Sequence, residues 1–477
     1  MNIKKNILLL SCILLISSTL QAQQKFSLEE AIRYALDHNL QIKQAMLTQK
    51  FDNENLSQSK VNLLPDINGQ VNQSNNYGRT INPTTNTYTN SNTHYLQGLI
   101  NGQLLLFGGL QKLTIIKQNK YQLLSDNNRV EKASNDAILN VLTFYLQILS
   151  FQDLVVSSKQ KADVSQLQID NDQKKLDVGN ITEADLLQDK AQYAQDVESI
   201  TTYQNNLDIA RTSLLQYMNL DPSQTLEVER PDSVTINGLR TDYNTVDVYQ
   251  KAKELMPDVK AEEYASSASQ QALNVARSAY YPSLTLNTSI GTVFSPSYKN
   301  YYQFATGQFA PTPFITQTTN ERVLQPIFTS SSSTQAFQEQ IKNNLTTYFG
   351  FSLNIPIFNG WQTRIQVRKA KIQYEQQLLV TEIARSNLNK TIVQAVIDLR
   401  AADKRFQADY SSEESLKKAF YFSQQRYNVG LLNSLDFNLA KSKFTIAEAT
   451  EIQDKYDLIF RAKVIDFYLG KKITLNP

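Results

Sequence analysis

Four segments of the chain alternate apolar and polar residues with a period of two. Two of them directly follow Pro65 and Pro282, and the last one precedes Phe358. Successive side chains of a strand point to opposite faces, so each segment is predicted to form a strand with one apolar and one polar face. The segments comprise residues 67–72, 96–106, 284–290 and 349–357. Each pair of strands is expected to be joined by a polar loop.

The rest of the chain is dominated by segments that favour helix. Residues 110–178 and 361–429 are two runs of 69 residues without Gly or Pro, rich in Leu, Gln, Lys and Ala. At 1.5 Å per residue, each run would form a helix of about 100 Å. After Gly179, a second helix is predicted at residues 182–217, and a shorter helix is predicted at residues 40–63. The pattern predicts a long antiparallel helical hairpin below each strand pair.

The same order of elements occurs twice. Phe107-Gly108-Gly109 recurs as Phe358-Asn359-Gly360, and Val178-Gly179 recurs as Val429-Gly430, both at an offset of 251 residues. Pro65 and Pro282 are separated by only 217 residues, so 34 additional residues enter the second copy before Phe358. We therefore expect a first repeat at residues 23–218, a linker at 219–240, a second repeat at 241–470 and a tail at 471–477. The second repeat carries the longer loop, at residues 291–345.

The N-terminus has the pattern of a secretory leader. Lys4 and Lys5 precede an apolar run at residues 7–16, and cleavage is predicted after Ala22, which makes residues 1–22 a signal peptide. The alternative is a lipoprotein signal ending at Cys12. Because the apolar run continues past Cys12, we favour ordinary secretion over lipidation at Cys12.

Composition excludes several classes of function. Without residues 1–22 the chain has 45 basic and 45 acidic residues and no cysteine, so it has no electrostatic basis for binding nucleic acid. With only His38 and His94, it has no Cys/His metal motif and no evident nucleophile–His pair. We expect neither an enzyme nor a cofactor. No clean apolar stretch of about 18 residues follows the leader, so contact with a membrane is expected through strands or a lipid.

Four strands are too few to close a membrane barrel, and open strand edges are not stable in lipid. The strands must therefore form a small sheet on a soluble body or be pooled between chains. Two chains would supply eight strands and a barrel filled by side chains, whereas three would supply twelve and leave room for a channel.

Several motifs together resemble the TolC-like outer-membrane efflux family over essentially the whole mature chain. They are FSLEEAIRYALDHNLQI at residues 26–42, the strands that follow prolines, the Phe-x-Gly junctions from strand to helix, and the two Val-Gly turns followed by Asp. The resemblance implies a mixed α and β membrane protein, in which four transmembrane strands per chain build a twelve-stranded barrel in a homotrimer. The barrel would be continued by an α-helical tunnel across the periplasm.

The same resemblance implies a passive exit duct in the outer membrane that extends into the periplasm. Its partners would be outer-membrane lipid, a periplasmic adaptor and, through the adaptor, an inner-membrane pump. The adaptor would dock at the helical tips, whose residues are Leu176, Asp177, Val178, Gly179 and Asn180 in the first repeat and Asn428, Val429, Gly430 and Leu431 in the second. Both glycines are also expected as left-handed residues that end a helix, a role that does not exclude docking.

Asp185, Asp436 and Tyr427 are the candidate residues of a pore constriction. In a trimer the two aspartates would place six carboxylates at the tip. They also stand at the third position of the returning helices, so they could serve only as helix caps. Tyr427 would either hold the tip shut or pack within the hairpin. Members of the family often have an Arg and a second carboxylate where this chain has Leu432 and Leu439, so any gate here is simpler.

A second class of protein fits the long helices as well. A secreted or surface coiled-coil protein, such as an adhesin, would also have long hairpins and Asn/Thr-rich loops. It would not explain apolar faces on both strand pairs or two hairpins of equal length. Dependence on detergent separates the two classes, because only an integral barrel requires it.

Overall fold

The structure, a computed structural model, describes residues 24–81, 86–90, 92–224, 226–230 and 239–475. The predicted leader and part of the predicted linker lie outside these ranges. The chain divides into two compact units, and each unit combines segments of both repeats. The helical unit comprises Met1–Asn53, Lys120–Ala268 and Tyr374–Pro477, and the sheet unit comprises Glu54–Asn119 and Ser269–Gln373.

The helices follow the predicted pattern closely. The two long helices are both 67 residues and end where the Val-Gly turns were predicted to end them. The described helices are α1 (Leu28–His38), α2 (Leu40–Val61), α3 (Gln111–Asp177), α4 (Glu183–Met218), α5 (Thr245–Leu255), α6 (Pro257–Ser278), α7 (Phe337–Asn343), α8 (Gln362–Asn428) and α9 (Ser434–Tyr468).

The strands include the four that the alternation predicts and several others. The described strands are β1 (Gln24–Phe26), β2 (Asp66–Asn76), β3 (Arg79–Ile81), β4 (Tyr88–Asn90), β5 (Thr93–Gly108), β6 (Leu226–Val228), β7 (Ser283–Phe294), β8 (Lys299–Ile315), β9 (Arg322–Thr334) and β10 (Thr346–Asn354). The four predicted strands form one antiparallel sheet in the order β10-β7-β5-β2.

One face of this sheet is apolar across all four strands. The register places Gly69 beside Ile100, Ile100 beside Ile290, and Leu286 between Leu104 and Phe351. Residues directly opposite one another point to the same face, so the apolar sets of neighbouring strands coincide. Asn101, paired with Asn68 and Ser289, belongs to the polar face.

Two details of the predicted strands are wrong. The last strand ends at Asn354 and excludes Ile355 and Ile357, because Pro356 has no N–H group with which to continue the ladder. His94 falls between the predicted strands 67–72 and 96–106, where the sequence predicts the shorter loop, but it lies in β5, where its Nδ1 is 2.7 Å from Oδ1 of Asn75 on β2.

The inserted segment of the second repeat is a long β-hairpin. β8 and β9 pair only with each other among the described strands, and they form a two-stranded ribbon between β7 and α7. From residue 300 to residue 338 its only charged residues are Glu321 and Arg322, beside the turn. The predicted loop at residues 291–345 is therefore mostly regular secondary structure.

Both junctions from strand to helix in the sheet unit have an unusual backbone. Gly109 and Leu110 have φ of +60° and +63°, and Gly360 and Trp361 have φ of +62° and +64°. A bulky residue in the left-handed region is uncommon and carries a conformational cost. Its recurrence at both junctions shows that the two repeats share this turn as well as the elements around it.

The core of the helical unit lies between its helices. Leu142, Ile148, Ile392, Leu399 and Leu458 are fully buried there. α3 contains an 18-residue stretch that is apolar enough to cross a membrane by length and composition, but half of that stretch is buried inside the protein, and core helices commonly pass the same test.

Part of the predicted linker also belongs to this core. β6 pairs in parallel with β1, and the hydroxyl of buried Tyr145 donates to the carbonyl oxygens of Phe26 and Glu229, at 3.1 and 2.6 Å. The start of the linker is therefore anchored to the N-terminal strand.

Candidate functional site

The two helical hairpins end in the same turn. The N–H of Gly179 donates to the carbonyl of Leu176 at 2.8 Å, and the N–H of Asn180 donates to that of Lys175 at 2.8 Å. This pair of hydrogen bonds is a Schellman motif, which requires a left-handed residue after the helix. Gly179 supplies it with φ of +77°. The predicted helix-ending role of Gly179 is confirmed.

The second repeat repeats this geometry. Gly430 has φ of +79°, its N–H donates to the carbonyl of Tyr427 at 3.1 Å, and the N–H of Leu431 donates to that of Arg426 at 2.8 Å. Nothing lies within 4 Å of an added Cβ at Gly179 or Gly430. The backbone conformation therefore accounts for both glycines, without any contribution from close packing.

The turns expose apolar side chains. Val178, Val429 and Leu431 have about 70% of their surface exposed, and an open cleft of about 680 Å³ is lined by residues of both turns. Of the other predicted tip residues, Leu176 is half-buried, and Asp177, Asn180 and Asn428 are exposed. The structure thus brings the two predicted tips together around one cleft.

Asp185 is the third residue of α4 and closes a capping box. Its Oδ2 accepts from the backbone N–H of Thr182 at 3.0 Å, and its own N–H donates to Oγ1 of Thr182 at 3.3 Å. The capping role predicted for Asp185 is present, and its half-buried carboxyl also borders the cleft.

Asp436 occupies the equivalent position in α9. Its N–H donates to Oδ1 of Asn433 at 2.7 Å, which caps the helix, while the Asp436 side chain is exposed. Leu439 is exposed and Leu432 half-buried, so neither adds a charge to this turn.

Tyr427 is bonded to a different carboxyl. Its ring is 4% exposed, stacks on Phe437 with 4.7 Å between centroids, and lies under the ammonium group of Lys175 at 4.3 Å. Its hydroxyl donates to Oδ2 of Asp172 at 2.6 Å. Tyr427 therefore both packs within the tip and makes a hydrogen bond between helices, but its acceptor is a residue that the sequence did not single out.

Asp172 belongs to a buried pair of carboxyls. Asp172 on α3 is fully buried, and Asp189 on α4 is 2% exposed. Oδ1 of Asp189 accepts from Oγ of Ser434 at 3.2 Å and from Nδ2 of Asn438 at 2.9 Å, both on α9. Together with Tyr427 on α8, the pair collects side chains from all four helices of the tip.

The two carboxyls differ in their affinity for protons. Burial, with the neighbouring Asp172, raises the pKa of Asp189 to about 6. Burial acts in the same direction on Asp172, but hydrogen bonds from Asp189, Tyr427 and Lys175 outweigh it and lower its pKa. Burial and the bond to Asp172 raise the pKa of the Tyr427 phenol, which therefore remains a donor.

The signal that could have revealed the pair is its position in the hairpin. Asp172 and Asp189 are equidistant from the centre of the turn, as are Ser165 and Asp196, which are also bonded to each other. In an antiparallel helical hairpin such residues lie at the same height, and they meet when both occupy the inner faces of their helices.

A second buried ionic group lies further along the hairpins. The ammonium of Lys441 on α9 is 3.0 Å from Oδ2 of Asp196 on α4 and also contacts the hydroxyl of Ser165 on α3. All three residues are at most 5% exposed. Among the described residues, no three His, Asp or Glu side chains gather into a group that could hold a metal ion.

The sequence matches one family over most of its length. A model of the family described as outer membrane efflux protein matches residues 31–220 and 248–471, which correspond to most of the two repeats. The outer membrane efflux protein BepC of Brucella suis biovar 1 (strain 1330) is 19% identical over 456 residues, which are 94% of this chain and 87% of BepC.

Solved channel structures share the fold. The chain superimposes on CusC with a TM-score of 0.74 at 16% identity, covering 93% of this chain and 92% of CusC. The Campylobacter jejuni CmeC outer membrane channel gives a TM-score of 0.72 at 16% identity, covering 94% of this chain and 87% of CmeC. At this level of identity, the two superpositions establish the fold.

Proposed function

The chain belongs to the outer membrane efflux protein family and acts as an outer-membrane exit duct that extends into the periplasm, and we propose that it does so as a homotrimer served by a periplasmic adaptor and an inner-membrane pump. The family match accounts for both repeats, and it leaves no support for the secreted coiled-coil alternative.

The main support for the trimer is the four-stranded sheet, which has a continuous apolar face. Its edge strands, β2 and β10, have no further strand partner among the described residues. Open edges are not stable in lipid, so the sheet must close with sheets of other chains. Three copies supply twelve strands, which is enough for a barrel around a channel. The apolar face would contact lipid and the polar face would line the lumen.

The helical tips are the proposed docking surface for the adaptor. The apolar side chains of Val178, Val429 and Leu431 are exposed to solvent at the end of the two hairpins. Exposed apolar patches of this kind are typical of protein interaction sites. A partner with a matching apolar surface would bury them.

Asp185 and Asp436 are the proposed constriction. In a trimer they contribute six carboxylates around one axis, an arrangement that favours cations. Their positions at the helix starts are compatible with this: the cap at Asp185 uses one carboxyl oxygen and leaves the charge, and the cap at Asp436 uses only its backbone N–H. The energy for export would come from the inner-membrane pump, since the sequence has no Gly-rich phosphate-binding loop.

Single-channel conductance in planar bilayers tests the duct and its constriction together. We would compare the wild type with the double variant Asp185→Asn/Asp436→Asn, because Asn removes the charge at both positions and keeps a capping oxygen at residue 185. Glu183→Gln, on the same turn as Asp185, is the matched control.

We expect small, cation-selective steps in the wild type and in the control, and larger, less selective steps in the double variant. Steps unchanged by the double substitution would leave the aspartates as caps only. Failure of the purified wild type to insert would refute the duct.

A further inference from the structure

The buried pair Asp172–Asp189 is the point where all four helices of the tip are joined. Asp172 is on α3 and Asp189 on α4, and their donors are Tyr427 on α8 and Ser434 and Asn438 on α9. The constriction proposed above uses two other carboxyls: Asp185, which is half-buried and borders the cleft, and Asp436, which is exposed.

The geometry of the pair requires a proton. The two carboxyls are within hydrogen-bonding reach of each other, and Oδ2 of Asp189 is buried and accepts from no other donor in the described part of the chain. Two ionised carboxylates in contact and shielded from water repel each other strongly. One proton shared between them turns this repulsion into a hydrogen bond.

We propose that Asp172 and Asp189 form a proton-binding site that fastens the tip of the duct. When the site holds its proton, the carboxyls join α3 to α4 and keep the donors of α8 and α9 in place. When the proton leaves, two buried negative charges force the carboxyls apart and loosen the tip. This proposal rests on the proposed function, since it gives the exit duct a closure that responds to periplasmic pH.

The other charged and titratable groups around the site do not replace the proton. Lys175 on α3 lies 2.9 Å from Oδ1 of Asp172 and compensates one negative charge. Lys441 on α9 acts on Asp189 from a distance, but its ammonium is bonded to Asp196. Tyr427 on α8 stays neutral as a donor. One excess negative charge therefore remains when both carboxyls ionise.

The direction of the pH effect follows from the proton affinity of the pair. The pKa of Asp189, raised by burial and by Asp172, is about 6. The site is therefore occupied at pH 5 and empty at pH 8, so acid closes the tip and neutral or alkaline pH loosens it.

The distance between the two turns provides a direct test. Val178 and Val429 are exposed on opposite turns, and Cys12, the only cysteine of the sequence, precedes the predicted cleavage position. Spin labels on Val178→Cys and Val429→Cys in the full chain would report their separation by pulsed electron resonance between pH 5 and pH 8. Dilution with unlabelled chain would leave at most one labelled protomer in each trimer.

Asp189→Asn is the informative substitution. Its amide NH₂ can donate to Asp172 while its oxygen still accepts from Ser434 and Asn438, so it imitates the protonated site at every pH. Asp170→Asn, two residues from Asp172 on the same helix, removes an exposed carboxylate and is the matched control.

We expect a narrow distance distribution at pH 5 that broadens with a midpoint near pH 6 in the wild type and in Asp170→Asn. In Asp189→Asn the distribution should stay narrow at all pH values. A wild type that does not respond to pH, or an Asp189→Asn variant that broadens like the wild type, would overturn the proposal.

Open probability in bilayers gives the second readout. We expect it to rise between pH 5 and pH 8 in the wild type and to remain low in Asp189→Asn. The distance measurement does not require a conducting protein, so a failure of the duct and a failure of the proton site give different results. A tip that responds to pH without any change in open probability would contradict a role in closure.

Discussion

Lys441 shows how a single polar residue can set the register of two hairpins. Its ammonium is buried and bonded to Asp196 on α4 and Ser165 on α3, although burial lowers the pKa of Lys441. An ion pair of this kind contributes little net stability, because desolvation of the charges offsets their attraction. It does penalise any sliding of α9 along the first hairpin, since sliding would separate the charges in a buried setting.

Substitution of Lys441 alone should therefore destabilise the helical unit more than substitution of both Lys441 and Asp196. We expect Lys441→Met to lower the free energy of unfolding of the helical unit by about 3–5 kcal/mol, because Asp196 is left buried without its counter-charge. Lys441→Met/Asp196→Leu should recover most of this loss. Thermal unfolding followed by circular dichroism at 222 nm measures both. Equal destabilisation by the single and double variants would show that Lys441 stabilises the hairpins by packing and not by its charge.

The residues of the site were only partly predictable from the sequence. Gly179 and Gly430 are recognisable because each interrupts a long run without Gly or Pro, and Asp185 fits a capping spacing after Thr182. Asp172 and Asp189 are not conspicuous among 45 acidic residues. Their importance depends on which helix faces they occupy once two hairpins pack together, and that is decided by contacts far apart in sequence.

At the scale of elements, the sheet divides its residues between two environments. Ile100 and Asn101 are neighbours in β5 that belong to the apolar and polar faces, respectively. In the proposed barrel one would meet lipid and the other the lumen.

Arginine at these two positions should therefore have opposite effects. We expect Ile100→Arg to destabilise the inserted barrel by about 2–4 kcal/mol, because a charge on the lipid face must be placed in hydrocarbon. Asn101→Arg should insert normally and shift ion selectivity towards anions. The yield of heat-modifiable trimer and the reversal potential in a salt gradient check these outcomes. Equal yields would show that Ile100 does not face lipid.

The β8–β9 hairpin is independent of the sheet that it interrupts. The N–H of Gln335 donates to the carbonyl of Tyr298 at 3.0 Å, so the two ends of the hairpin already have the spacing of a tight turn. The elements on either side, β7 and α7, contact each other directly, with Oγ1 of Thr292 donating to the carbonyl of Ile341 at 2.9 Å.

Replacement of Lys299–Thr334 by Asn-Gly should therefore leave the duct intact. The dipeptide favours a two-residue turn, and the net loss is 34 residues, the length of the insertion. We expect unchanged trimer yield and conductance, and loss of trypsin cleavage near Arg322 on intact cells. Failure to assemble would mean that the hairpin takes part in the barrel, and cleavage within α3 or α8 on intact cells would contradict the proposed topology.

The long helices were more predictable from the sequence than the inserted β8–β9 hairpin. Long runs without Gly or Pro predicted α3 and α8 to within one residue at each end. The hairpin was missed because β8 and β9 are rich in Ser, Thr, Pro and aromatic residues without regular alternation. Two register shifts between β8 and β9 break the period on which strand prediction depends.

At the scale of the whole helical unit, pairs of neighbouring carboxyls with at least partial burial recur. Besides Asp189, burial and a neighbouring carboxyl raise the pKa of Asp126, beside Asp52, and of Asp454, beside Asp409, each to about 6. Each pair joins two helices: α2 to α3 at Asp52, and α8 to α9 at Asp409.

The helical unit should consequently be more stable in mild acid. A carboxyl whose pKa is higher in the folded state than its unfolded value of 3.8 binds its proton more tightly when folded, so stability falls as pH rises through about 6. Between pH 5 and pH 8 we expect a loss of about 1 kcal/mol per pair. Thermal midpoints across this range should fall, and they should fall by much less in Asp126→Asn/Asp189→Asn/Asp454→Asn. A wild type with a constant midpoint would argue against shared protons.

The order β10-β7-β5-β2 has a consequence for the way such a ring is put together. Within one chain, β5, the second sheet strand of the first repeat, pairs with β7, the first sheet strand of the second repeat. In a closed trimer, β10 of one protomer would meet β2 of the next, which is again a second strand beside a first strand. The same kind of contact between repeats would thus occur six times around the barrel. In three of these contacts the two repeats belong to one chain.

Fusion of two units into one polypeptide halves the number of molecules that must find one another during assembly. It also allows alternate positions to diverge, which a ring of six identical chains would not permit. The outer rim of this trimer would therefore carry three long β8–β9 ribbons in alternation with three short β3–β4 hairpins.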